Sequence, residues 1–87
     1  MSELRLRADR LQWLDAEGEI VALDEAALVY LAANGSGALL WKELARGTTR
    51  EALVARLAEA FSLDPEVAAV DTDRFLADLE QRGLLER

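Results

Sequence analysis

The chain has 87 residues, of which 52% are apolar, and its 17 aspartates and glutamates outnumber ten lysines and arginines to give a net charge of −7. It contains no histidine and no cysteine. The commonest proton shuttle at neutral pH, the commonest nitrogen and sulfur ligands of zinc and the thiol nucleophile are therefore missing. This composition favours a binding protein over an enzyme, and we predict no catalytic residue, no metal site and no cofactor.

The length fits one small domain spanning residues 1–87. Residues 1–5 carry charges where a secretory signal needs apolar residues, and no segment approaches membrane-spanning length, so we expect a cytoplasmic protein without a membrane partner. The ten basic residues are scattered along an acidic chain. Because phosphate contacts need clustered lysines and arginines, we also expect no nucleic-acid partner.

Residues 4–31 are predicted to form strands. Leu11 and Trp13 alternate with polar residues, as in a half-buried strand, and the polar run 15–18 ends in glycine, as in a hairpin. Residues 20–23 form the returning strand. The next run, 24–33, is ambiguous, since its alanines favour a helix and its Leu-Val-Tyr-Leu centre favours a strand.

Residues 36–82 are predicted to form three helices. Ser36 is a candidate N-cap of the first helix, which Gly47 ends. Thr48 and Glu51 have the spacing of a capping box for the second helix. The apolar stripe of this second helix is predicted to comprise Leu53, Leu57 and Phe61.

The third helix opens at Asp64 as N-cap, with Pro65 in its first turn, and closes at Gly83. Residues placed at about 100° intervals fall on two arcs. The core arc comprises Ala68, Thr72, Phe75, Leu76 and Leu79. The adjoining arc, which mixes an aliphatic residue with both signs of charge, comprises Val67, Asp71, Arg74 and Asp78.

Few residues outside these patterns suggest chemistry. The carboxylate pairs Asp71 with Asp78 and Asp24 with Glu25 lack the loop spacing of a calcium site, and we interpret them as solvated surface. Ser36 lies between two glycines without a histidine partner, so it is a cap or turn residue. The two tryptophans, Trp13 and Trp41, are predicted to be core residues.

The order of the elements resembles the PqqD-like family over residues 4–85. These proteins are the leader-peptide-binding modules, or recognition elements, of ribosomal peptide biosynthesis. An acidic, stand-alone chain of this size is most similar to members from lasso-peptide pathways. The residues that carry the resemblance are, in chain order, 18–24, Tyr30-Leu31, 34–37, Leu40-Trp41, 43–49, Leu53, Leu57, Asp71, Phe75, Leu76, Leu79 and 83–85.

The resemblance implies an α+β winged helix-turn-helix, with a three-stranded antiparallel sheet followed by three helices, and it makes residues 27–31 the third strand. It implies a non-catalytic protein that binds the leader of a precursor peptide. The leader would add as a strand beside the third helix and typically present a Tyr-x-x-Pro motif and an aliphatic residue. The implied enzyme partners are a leader peptidase and a cyclase, and the oligomeric state is a monomer or weak dimer.

The resemblance also assigns a peptide-binding site. The docking strand would comprise Leu28, Val29, Tyr30 and Leu31. The helix side of the cleft would comprise Val67, Val70, Asp71, Arg74, Phe75 and Asp78. Among these, Arg74 would pair with a leader carboxylate, and Asp71 or Asp78 would accept hydrogen bonds from leader side chains.

Two other functions are compatible with the same fold. One is a peptide chaperone of the PQQ pathway, with a radical enzyme as partner. The other is a winged-helix regulator that binds DNA, which needs a basic recognition helix. The second helix offers Arg50 and Arg56 but also Glu51 and Glu59, so its charges cancel.

Overall fold

The strands precede the helices along the chain. The computed structural model describes residues 3–86, so Met1, Ser2 and Arg87 of the predicted 1–87 domain lie outside the described residues. The elements are β1 (Arg5–Leu6), a 3-10 turn (Ala8–Arg10), β2 (Leu11–Ala16), β3 (Glu19–Asp24), β4 (Val29–Ala33), α1 (Ser36–Arg46), α2 (Arg50–Phe61), α3 (Pro65–Gln81) and β5 (Leu85–Glu86). The sheet order β2-β3-β4, followed by three helices, confirms the predicted α+β architecture. A short ribbon of β1 and β5 was not predicted.

The predicted hairpin joins β2 and β3 through Glu17 and Gly18. Both residues have positive φ, 54° and 89°, which suits the tight right-handed twist of a two-residue connection. The Asp15 side chain accepts a hydrogen bond from the Gly18 N–H at 2.8 Å and closes the turn. The two strands then pair in register from Ala16 with Glu19 to Leu11 with Asp24.

The ambiguous run after β3 forms a turn and then a strand. Asp24 Oδ1 accepts hydrogen bonds from the N–H groups of Ala26 and Ala27, and the Leu28 N–H donates to the Asp24 carbonyl at 2.8 Å. Leu28 has a φ of 57° and lies in this turn. The prediction that the strand spans 27–31 and includes Leu28 is therefore wrong, because the Asp24 side chain delays the strand until Val29.

Helix ends follow the predicted punctuation, with two shifts by one residue. Asp64 caps α3 as predicted, accepting from the Glu66 N–H at 2.9 Å. The N-cap of α2 is Thr49, whose hydroxyl accepts from the Ala52 N–H. Thr48 instead pairs its backbone with that of Leu4. The N-cap of α1 is Gly35, so Ser36 is the first helical residue and not the cap.

The core lies between the inner face of the sheet and the three helices. Leucines dominate it, and Trp41 is 2% exposed. Two core predictions are wrong. Trp13 is 39% exposed because β2 is an edge strand, and Phe61 is 45% exposed because it ends α2. No helix within residues 3–86 combines the length and apolarity needed to cross a membrane.

Candidate functional site

The outer edge of β4 has no partner strand within residues 3–86. The sheet order is β2-β3-β4, so β4 pairs with β3 alone, from Asp24 with Val29 to Ile20 with Ala33. The strand Val29–Ala33 contains no charge and no proline. Natural edge strands usually carry charges or bulges that prevent pairing with another chain. The unprotected edge of β4 therefore marks it as a candidate place for strand addition.

A cleft of about 250 Å³ separates this strand from α3. We call it the β4–α3 cleft. The strand side comprises Tyr30, Leu31, Ala32 and Ala33. The helix side comprises Phe75, Asp78 and Arg82, and the floor comprises Ile20, Ala22, Trp41 and Leu79. The floor is apolar and buried, whereas the acidic and basic side chains lie on the helix side.

Two contacts show that α3 runs antiparallel to β4. Near the end of β4, a Cβ placed on Gly37 would lie 3.4 Å from Ala33 Cβ and 3.5 Å from Phe75 Cε1, so the strand and helix converge there. At the start of β4, Arg10 contacts both Asp24, the register partner of Val29, and the Gly83 carbonyl just beyond α3. The segment of α3 from Phe75 to its C-terminus therefore lies along β4.

The orientation of α3 explains where the predicted site residues lie. Tyr30, Leu31, Phe75 and Asp78 line the cleft, and Val29 begins the strand beside it. The N-terminal half of α3 extends past Ala33, where it does not line the cleft. That half carries the other predicted helix residues, Val67, Val70, Asp71 and Arg74.

Several lining residues were not predicted. Ala32 and Ala33 were missed because the strand starts later than expected. Arg82 lies one turn beyond Asp78, so extending the predicted helix arc by four residues would have found it. The floor residues, Ile20, Ala22, Trp41 and Leu79, were treated only as core.

The charges at the cleft are partly neutralised. Arg82 Nε donates to Asp78 Oδ2 at 3.2 Å, an i to i+4 pair on the solvent side of α3. Arg74, one turn before Asp78, is exposed and makes no ion pair with any residue between 3 and 86. The helix side therefore offers one free cation near an ion pair. No group of three or more acidic residues in this range is placed to hold a metal ion.

The basic residues of α2 are also occupied. Arg50 donates two hydrogen bonds to the Asp73 carboxylate, at 2.7 and 2.9 Å, and Arg56 lies 3.7 Å from Glu43. The hydrogen bonds from Arg50 lower the pKa of Asp73 below its ordinary value. An α2 whose arginines are already paired with carboxylates is a poor surface for phosphates, which argues against the DNA-binding alternative.

The family model described as "Coenzyme PQQ synthesis protein D (PqqD)" matches residues 19–85. The chain belongs to the PqqD family. The match includes β3, β4, all three helices and the cleft residues, and it confirms the family resemblance found in the sequence.

Two solved structures share this PqqD fold. One is TbiB1 in complex with the TbiA(beta) leader peptide, with a TM-score of 0.86, 24% identity and coverage of 94% of each chain. The other is lasso peptide synthetase B1 complexed with the leader peptide, with a TM-score of 0.83, 21% identity and coverage of 99% of this chain and 100% of that chain. A search of curated protein sequences gave no match.

Proposed function

We propose that this protein binds the leader segment of a ribosomally made precursor peptide and delivers it to modifying enzymes, without catalysing a reaction itself. The leader adds to β4 as a fourth strand of the sheet and places side chains in the β4–α3 cleft. The observation that carries the proposal is the unpaired, uncharged edge of β4 beside an apolar cleft. Two proteins of the same fold are complexes with leader peptides, which supports this choice of ligand.

Backbone pairing alone is too weak for this task. A strand as short as β4 provides roughly four hydrogen bonds to a guest, and at about 1 kcal/mol net each they give only millimolar affinity. Ordering a flexible leader removes part of that gain. Burial of one large apolar side chain contributes about 1.5–3 kcal/mol, so one or two side chains in the cleft bring the affinity into the micromolar range.

The register of the sheet indicates which guest side chains enter the cleft. Leu31 and Ala33 pair with Ala22 and Ile20, which are buried, so this set points to the inner face of the sheet. A strand added beside β4 continues the alternation, and every second guest residue faces α3. Main-chain bonds then supply general affinity, and the cleft selects the inward-facing side chains.

A leader longer than β4 continues past Ala33 along the N-terminal half of α3. There it meets the surface formed by Val67, Val70, Asp71 and Arg74. The exposed valines offer apolar contact, and Arg74 offers a cation to a leader carboxylate. The enzymes that receive the leader are proposed to be a leader peptidase and a cyclase of a lasso-peptide pathway, in the cytoplasm.

Hydrogen exchange combined with titration tests the proposal. The probe is the synthetic leader of the precursor encoded beside this chain. We expect saturable binding with a Kd of tens of micromolar or tighter, and slower amide exchange in β4. The opposite edge strand, β2, is the internal control, and its exchange should not change. Absence of saturable binding, or protection of β2 in place of β4, would refute the proposal.

A further inference from the structure

The floor of the β4–α3 cleft contains a hydrogen-bond donor without an acceptor. Trp41 lines the cleft and is 2% exposed, and its Nε1–H is buried with no hydrogen-bond partner among residues 3–86. Buried polar groups in native proteins are almost always paired, and the N–H of a buried tryptophan usually finds an acceptor. An unpaired donor at the bottom of a binding cleft therefore points to an acceptor that arrives with the ligand.

The surroundings of Trp41 supply no alternative acceptor. Its neighbours on the floor, Ile20, Ala22 and Leu79, have hydrocarbon side chains. The Asp78 carboxylate lies on the helix side, mostly exposed, and is engaged by Arg82. The Trp41 ring also packs against Trp13 in a T-shaped pair, with ring centroids 6.1 Å apart and planes at 76°. This contact holds the indole in its place in the floor.

We propose that the cleft selects a guest residue whose large side chain ends in a neutral hydrogen-bond acceptor, and that the Trp41 Nε1–H is the donor that recognises it. This inference rests on the proposed function and specifies the ligand of the same site. Suitable side chains end in a hydroxyl or an amide. The cleft volume of about 250 Å³ is suited to one large side chain.

The other two classes of side chain fit less well. A hydrocarbon side chain fills the cleft but leaves the donor unpaired, and sites built to donate a hydrogen bond strongly reject analogues that lack the acceptor. A carboxylate loses its hydration against an apolar floor and lies near Asp78, while the lining cation, Arg82, is already paired. A neutral acceptor satisfies the donor without either penalty.

The indole N–H signals of ¹⁵N-labelled protein test this inference directly. The chain has two tryptophans, and a Trp13→Phe variant assigns their signals. At saturation with the synthetic leader, we expect the Trp41 indole proton to move downfield and to exchange with solvent at least tenfold more slowly, while the Trp13 signal stays in place. These changes would mark a hydrogen bond formed at Nε1.

A saturated complex in which the Trp41 indole proton is unshifted, or moves upfield without added protection, would overturn the inference and leave the proposed function standing. No saturable binding would remove both. As a second measurement, Trp41→Phe should weaken leader binding about fivefold to tenfold, and Trp13→Phe should change it less than twofold. The native-protein spectra decide the question if Trp41→Phe does not fold.

Discussion

Arg10 Nη2 lies 3.6 Å from Oδ1 of Asp24, a residue that is only 3% exposed. The same guanidinium donates from Nη1 to the Gly83 carbonyl at 3.3 Å. Asp24 ends β3 and Gly83 follows α3, so one side chain ties the sheet to the C-terminal end of the helix. The expectation that Asp24 belongs to the solvated surface is therefore wrong. It is a buried anchor beside the start of the β4–α3 cleft.

Replacement of Arg10 should destabilise the fold. Arg10→Met leaves the buried Asp24 carboxylate without its cation, and we expect the free energy of unfolding to fall by about 2 kcal/mol, since Arg10 itself is partly exposed. Urea unfolding measures the loss. Arg46→Met is the matched control, because its ion pair with Glu43 lies at the surface and should change stability by less than about 0.5 kcal/mol. Equal losses in both variants would contradict the anchoring role.

A lysine on the open edge should block the guest strand without harming the fold. Tyr30 is 76% exposed, so Tyr30→Lys should change stability by less than about 0.5 kcal/mol. It should weaken leader binding by about tenfold, because a charged side chain on an edge disfavours strand pairing. Leu14→Lys on β2 is the control and should leave the affinity, measured by calorimetry, unchanged. If both variants bind the leader equally well, β4 is not the docking strand.

The charge of Arg74 should matter only in low salt. Arg74→Glu reverses an exposed cation beside the proposed path of the leader, and we expect it to weaken binding about threefold at low ionic strength, a factor that shrinks as salt screens the interaction. The Kd is measured across a salt series for both proteins. Arg46→Glu on α1 is the control. An affinity of Arg74→Glu equal to that of the parent chain at every salt concentration would remove Arg74 from the site.

Acid should weaken the link between α2 and α3. The hydrogen bonds from Arg50 lower the pKa of Asp73 below its ordinary value of 3.8. A carboxyl whose pKa is lower in the folded state stabilises the fold above its unfolded pKa, and the contribution is lost as the pH falls through the folded pKa. The melting temperature of the parent chain should therefore decline below about pH 4. It should decline less steeply in Asp73→Asn, and parallel curves would contradict this.

The sequence predicted the elements well where local chemistry decides them. The glycines that end helices and the Asp64 cap are examples, because each acts within one or two turns of the chain. It failed where a distant partner decides. Two adjacent threonines could both cap α2, and the choice of Thr49 follows from the pairing of Thr48 with Leu4, 44 residues away in sequence. The burial of Asp24 likewise depends on Arg10 from before β2.

The site was predicted correctly on the strand side and only in part on the helix side. A helical arc repeats along the whole of α3, which at 17 residues is about 25 Å long. The strand it faces has five residues and is about 17 Å long. Periodicity therefore gives the correct face of α3 but not the segment of it that β4 accompanies. That segment depends on the tertiary contacts of Gly37 and Arg10.

The bare margin of β4 has a consequence for the protein when no leader is present. Residues that invite a foreign chain equally invite a second molecule of the same kind, because backbone pairing does not distinguish them. Concentrated, empty protein should thus be the species most prone to aggregate. Its cargo then acts as a protective cover, so co-expression with the leader should raise the soluble yield.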